Sequence, residues 1–208
     1  MTEVLVPAAR LVRWIENFSA RHEEATLTVA GGELVGAATD GSTFAARLPF
    51  DAAYDGDADP VAFVDAVTAP DAWGVLLVRK GGFAVARLAG PEIVEHKIGQ
   101  RHVQGRTKAG GQSQQRFARR RDNQARQAYE AAAGHASRIL GADTSGRRQS
   151  IPVVTGGDHA AVDDVLADAR LGRLTVIGPW LAVPDPRRAV LDGAIADAQS
   201  VRVEVSNA

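Results

Sequence analysis

The sequence predicts an α/β fold, a sheet covered by helices, preceded by a small N-terminal α+β extension. Three observations carry this reading. From residue 72 onward, short apolar strand segments alternate with helical ones, the pattern of a sheet flanked by helices. A long helical stretch over 113–140 separates three strands from a later strand–helix–strand–helix run. Positions 1–70 hold one amphipathic helix and several short strands, and they end in an acidic segment broken by Gly and Pro. The expected organisation is therefore an extension over 1–70, closing in an acidic linker, and a larger domain over 71–208.

Each element has a local reason. In "PAARLVRWIENFSARHE", Leu11, Trp14, Ile15 and Phe18 recur at i, i+3, i+4, i+7 behind Pro7, the apolar face of a helix. Gly31-Gly32 and Asp40-Gly41 punctuate "TLTVAGGELVGAATDGSTFAARL" into strands joined by hairpin turns. "PFDAAYDGDADP" reads as linker; its aspartates do not have EF-hand spacing, so no metal is expected there. "AWGVLLVRKGGFAVARLAGPEIVEHKI" gives three strands, the first two joined at Lys80-Gly81-Gly82, and a long polar loop follows. Ser113 is placed as N-cap of the long helix, whose buried stripe is Phe117, Ala125, Ala128, Tyr129, Ala132, Ala136, Ile139 and Leu140. Beyond it come a buried strand "SIPVVTGG", a helix opened by Asp158, a strand "LTVIGPW", a helix in "DPRRAVLDGAIADAQS" and a closing strand "VRVEV".

Composition narrows the function classes. The 208 residues are 45% hydrophobic and 24% charged, as in globular proteins. Aromatics make up 5%, so the core rests on Ala, Val, Leu and Ile. The chain has no cysteine, which excludes disulfides and thiolate metal sites and suits a reducing compartment. "MTEVLVPAARLVRW" has an early acid and arginines inside its apolar stretch, unlike a secretory signal. No apolar run reaches the length needed to span a membrane. A cytoplasmic location and no membrane partner are expected.

Charge is distributed unevenly. Between His96 and Arg126 stand nine basic residues, Lys97, Arg101, Arg106, Lys108, Arg116, Arg119, Arg120, Arg121 and Arg126, against the single acid Asp122. That segment carries +8 in a chain of net −1, leaving −9 elsewhere. A local polyanion-binding surface on an acidic body is one reading; a solvated, arginine-rich helix face is the other. Paired catalytic carboxylates, a Ser-His-Asp elbow and a P-loop are not found. His96 and His102 have no clustered acid beside them and read as surface residues, not bases.

The stretch "GGQSQQRFARRR" gives the charge a purpose. Gly110, Gly111, Gln112, Ser113, Arg116, Phe117, Ala118, Arg119 and Arg121 match the catalytic loop and following helix of eukaryotic and archaeal class-I peptide release factors. "EHK" at 95–97 and "IPVVTGGDHAAVDDVLAD" downstream are also similar to that family's middle domain, so the resemblance covers roughly residues 72–200. It implies an RNase H-like mixed sheet flanked by helices. The residues after GGQ do not follow the His-Val-Asn pattern of bacterial release factors or the Asn-Lys signature of small rescue hydrolases. With no codon-recognition motif seen over positions 1–70 and no GTPase-binding domain expected, the chain most resembles the Vms-like release-factor branch and its actinobacterial members.

That resemblance implies a ribosome-dependent, codon-independent peptidyl-tRNA hydrolase that frees nascent chains from stalled large ribosomal subunits. Its implied partners are the large subunit, its RNA and peptidyl-tRNA, with no DNA; it is expected to act as a monomer without cofactor or metal. The catalytic residues would be Gly110, Gly111 and Gln112, and the nine basic residues named above would bind RNA. The chemistry is compatible. A carboxamide has no useful pKa, so Gln112 cannot be a general base, but it can hold water, and its backbone N–H can donate to an oxyanion. One such donor is worth about 3–4 kcal/mol. The two glycines permit φ > 0 and close approach to RNA, and the arginines neutralise phosphates. The alternatives are a ribosome or tRNA binder without hydrolytic activity, and a tRNA nuclease, an activity found in eukaryotic members of the branch.

Overall fold

The computed structural model describes residues 1–100, 112–141 and 150–208, and over residues 112–125 it describes the course of the backbone alone. In chain order the elements are β1 (Thr2–Val6), α1 (Ala8–Arg21), β2 (Ala25–Ala30), β3 (Glu33–Ala38), β4 (Thr43–Arg47), α2 (Pro60–Asp65), β5 (Trp73–Arg79), β6 (Gly82–Ala89), β7 (Glu92–Gln100), α3 (Gln112–Leu140), β8 (Ile151–Gly157), α4 (His159–Leu166), β9 (Leu174–Leu181), α5 (Arg188–Ala198) and β10 (Val201–Ser206). No described helix is long and apolar enough to cross a membrane. The chain divides into two compact units, one of residues 1–70, 177–179 and 195–208, the other of residues 71–176 and 180–194.

The first unit is a five-stranded sheet in the order β1-β10-β4-β3-β2, with antiparallel pairings throughout. The expected α1 buries Leu11, Ile15 and Phe18 against this sheet. Phe44 on β4 is the hub, meeting Trp14 and Phe18 edge-on at centroid distances of 5.3 and 5.0 Å. Its ring lies over Gly36, where a Cβ would come within 2.1 Å of it. Both expected hairpins form, and Gly31 and Gly32 adopt φ of +62° and +81°, which a two-residue turn of this kind requires.

Two expectations for this unit are corrected. The segment 49–60 is not a plain linker: Tyr54 is buried, its N–H donates to the Gly32 carbonyl, and its hydroxyl donates to that of Asp57. Asp59 then caps α2 by accepting from the N–H groups of Val61 and Ala62, with Pro60 in the first turn. The leading segment of this unit ends at Pro70, and the closing strand, expected with 71–208, lies in this unit as well. β10 pairs with β1 on one side and β4 on the other. Val201 and Val203, fully buried, turn an apolar face into the core of this unit.

The second unit is the mixed sheet flanked by helices, in the order β7-β6-β5-β8-β9. β5, β6 and β7 form an antiparallel meander, and β5 pairs in parallel with β8. Leu76, Val78, Phe83 and Val85 pack with Ala132, Ala136, Ile139 and Leu140 of α3 and with Ala161, Val162 and Val165 of α4. Ala133, outside the predicted stripe, joins this core. The side chains of Phe117 and Ala125, expected in the stripe, lie outside the described residues. Asp158 caps α4 as expected, accepting from Ala161 N–H at 3.2 Å. Ser113 is not the cap of α3, because the helix already includes Gln112.

Gly156 marks a close approach between backbones in this sheet. A Cβ there would lie 2.3 Å from the Leu181 carbonyl oxygen and 2.7 Å from its Cβ, and backbone cannot swing aside as a long side chain can. Gly156→Ala should cost about 1–3 kcal/mol of stability, the range for overpacking. Urea unfolding would check this; a variant as stable as the parent would show that β8 and β9 can separate freely.

Candidate functional site

The candidate site is built on β7 and α3. β7 ends at Gln100 opposite Gly82, at the end of the sheet where β5 turns into β6 through Lys80 and Gly81. The chain leaves the sheet there, and its next described element starts at Gln112, the first residue of α3. Gly110, Gly111, Arg101, Arg106, Lys108 and His102 lie outside the described residues. Gln112, Arg116, Arg119, Arg120 and Arg121 lie on the α3 backbone, with their side chains outside the description.

Two contacts fix the direction of α3. Near its C-terminus, Leu140 packs at Gly74, early in β5, so closely that a Cβ on that glycine would come within 2.5 Å of it. Further back, Arg126 and Tyr129 line a groove with Lys80, just past the end of β5. The helix therefore runs antiparallel to β5. Ala128 is the first buried residue among the described side chains of α3. At about 1.5 Å of rise per residue, about 24 Å of helix separates it from Gln112. Gln112 thus stands at the far end of α3 from Leu140; residues 112–127 are termed the arm.

The side chains described on this framework divide by the strand's alternation of faces. Glu95 and Lys97 share the side facing α3, where Glu95 pairs with Arg138. His135 stacks on Phe83 with centroids 5.5 Å apart. Burial, then the nearby charges of Lys97 and Arg138, hold its pKa below the usual histidine value. His96 points to the opposite face and meets Arg188 of α5 at 3.1 Å. It is thus an exposed residue engaged on the face away from α3.

Lys97 and Arg126 are both exposed, but their surroundings differ. Arg126 shares its groove with Glu130, Asp158, Asp164 and Asp168. Burial, followed by the charges of Asp158 and Asp164, raises the Tyr129 phenol above its usual value. Acids of its own body therefore stand beside Arg126. Lys80, in the turn between β5 and β6, lines the same groove. At the other side of α4, the first helical residue, His159, stacks on Trp180 at 3.5 Å and 12°.

What the arrangement can do follows from its two ends. One end is a rigid body in which α3 is clamped by alanines, Ile139 and Leu140. The other is a helix N-terminus whose first four N–H groups lack intrahelical partners. Two glycines precede it in sequence, and Arg116, Arg119, Arg120 and Arg121 follow it closely. Such an end offers backbone donors and a positive field. Among the described residues no cluster of His, Cys, Asp or Glu has metal-binding geometry.

No curated protein matches the chain. A family model does, that of the Actinobacteria/chloroflexi VLRF1 release factor, over residues 71–204. The match takes in the whole of β5 to α5, including the β7–α3 arm, and reaches into β10. Covering well over half of the chain, it agrees with the resemblance read from the GGQ segment. By this match the chain belongs to the Actinobacteria/chloroflexi VLRF1 release-factor family.

Proposed function

We propose that this release-factor family member is a ribosome-dependent peptidyl-tRNA hydrolase that frees nascent chains from stalled large ribosomal subunits, independently of the codon in the A site. The observation that carries the reading is the intact Gly110-Gly111-Gln112 sequence joined directly to the first turn of α3 in a chain of this family. Codon independence rests on the resemblance to the Vms-like branch.

In the proposed reaction a water oxygen attacks the carbonyl carbon of the peptidyl ester. The bond to the terminal ribose oxygen breaks, and the proton given up by water ends on that oxygen. Gln112 cannot take the proton, so its transfer is left to RNA hydroxyls and water. Gln112 orients the attacking water, and its backbone N–H, unpartnered at the helix start, donates to the developing oxyanion. The two glycines let the backbone approach the terminal nucleotide. The basic residues of 97–126 hold the arm by phosphates, with Arg116, Arg119, Arg120 and Arg121 on the arm itself. The partners are the large subunit, its RNA and peptidyl-tRNA.

Purified large subunits carrying labelled peptidyl-tRNA test this directly. The hydrolase frees peptide and leaves full-length tRNA, with no requirement for messenger RNA. Shortened tRNA would make the protein a nuclease, and intact peptidyl-tRNA despite bound factor would make it a binder. Release confined to intact ribosomes displaying stop codons would return it to ordinary termination.

A further inference from the structure

We propose that the first unit carries a second RNA-contact surface, a groove between α1 and the edge strand β1 that grips a phosphodiester backbone through Arg10, Arg13 and Arg21. The partner rests on the proposed function, since a factor working on the large subunit is surrounded by RNA.

The starting point is where this unit keeps its positive charge. Residues 1–70 and 195–208 hold five arginines, no lysine and thirteen acids, a net of −8. Arg47 pairs with Glu33 and Glu204, and Arg202 pairs with Asp51. The other three arginines are exposed and have no ion-pair partner among the described residues. In a unit so rich in carboxylates, three unpaired guanidinium groups stand out, and all three are on α1.

Helix geometry puts them in one line. At about 100° per residue, positions 10, 13, 17 and 21 fall within about 80° of arc and span about 17 Å of helix. Trp14 borders this arc on the side of the buried face. The acid of α1, Glu16, falls about 60° beyond Arg13 on the far side. The stripe follows a groove in two adjoining parts. One is lined by Arg10 and Arg13 and the β1 residues Val4 to Val6, the other by Arg21, Phe18 and His22, and both parts share Val4, Trp14 and Asn17. Among the described residues no Asp or Glu lines either part.

The chemistry fits a nucleic-acid strand. Three free guanidinium groups spaced along this stretch of helix can each meet a phosphate, and Asn17 adds a hydrogen-bonding amide. Trp14, half-buried between them, offers an aromatic surface against which a base can stack. The acidic remainder of the unit repels polyanions, so attraction is confined to this line and orients the strand along it. An extended peptide adding to the free edge of β1 is the other possible occupant. It would not account for a row of unpaired arginines.

The test uses the full chain in an Arg119→Glu/Arg120→Glu background, which weakens the arm's own phosphate contacts. The probe is an end-labelled 12-nucleotide oligouridylate, titrated over a range of salt, with large subunits titrated in parallel. Adding Arg10→Gln, Arg13→Gln and Arg21→Gln should lower oligouridylate affinity at least tenfold and reduce the salt slope by about two units, at roughly 0.7 per lost single-strand phosphate. Lysine at the same three positions should restore most of the slope. Unchanged affinity and slope in the glutamine variant would overturn the proposal, as would poly-L-glutamate binding the groove where oligouridylate does not. The release assay separates the two readings. If the parent protein frees no peptide but the groove variant still loses RNA affinity, the hydrolase fails and the groove stands. If release is normal and RNA affinity is untouched, the groove fails alone.

Discussion

Gly111→Ala is expected to abolish peptide release from large subunits while leaving folding stability within about 0.5 kcal/mol of the parent, as for changes remote from a core. The described cores of both units are built from residues far along the chain from Gly111. The change adds one methyl group, so any lost activity has to come from backbone freedom or from space. Where a positive φ is needed, alanine costs about 1–2 kcal/mol; in a crowded RNA site the methyl also holds the backbone away from the ester. Displacing a single oxyanion donor lowers a rate by about 10²–10³, and both effects act on the same atoms. The measurement is single-turnover release at saturating factor, with thermal unfolding of the variant alongside. Full release by a folded Gly111→Ala protein would remove the mechanism proposed for the GGQ segment.

Arg119→Glu/Arg120→Glu should weaken binding to large subunits by about 10–100-fold near physiological salt and flatten its salt dependence by about two units, roughly one per lost phosphate contact. These two positions are chosen because they precede the residues of α3 that join the described core. Arg126 makes a useful contrast. It sits beside Glu130, Asp158 and Asp164, so its reversal should move the slope less. Equal slopes for the parent and the double variant would mean that the arginines of the arm form a solvated face and do not hold RNA.

Much of the second unit was legible because its signals are local. Alternating apolar residues, Gly-rich turns and the Asp158 cap each act within a few positions, and β5 to β9 and α3 to α5 follow them. The family was legible for a related reason: the GGQ segment and its arginines are contiguous in sequence. Ser113, a good capping residue, put the expected start of α3 at residue 114, two positions after Gln112, where the helix begins.

What the sequence alone determined, then, is the fold class and the family, both carried by signals that are contiguous in the chain. Tertiary structure decided whatever depends on residues distant in the chain. Placing β10 between β1 and β4 required knowing that a β-strand near the end of the chain, Val201–Ser206, fills a gap in the first sheet, and a strand's own residues do not name its partner. The burial of Tyr54 depends on a distant carbonyl, that of Gly32. Which turns of α3 lie on β5 and β6 was decided by the sheet, since helix periodicity continues whether or not a sheet lies beneath it. The separation of Arg10, Arg13 and Arg21 from thirteen nearby acids was likewise a matter of three-dimensional placement. Charge in a sequence is a sum, whereas an electrostatic surface depends on which opposite charges the fold brings within reach.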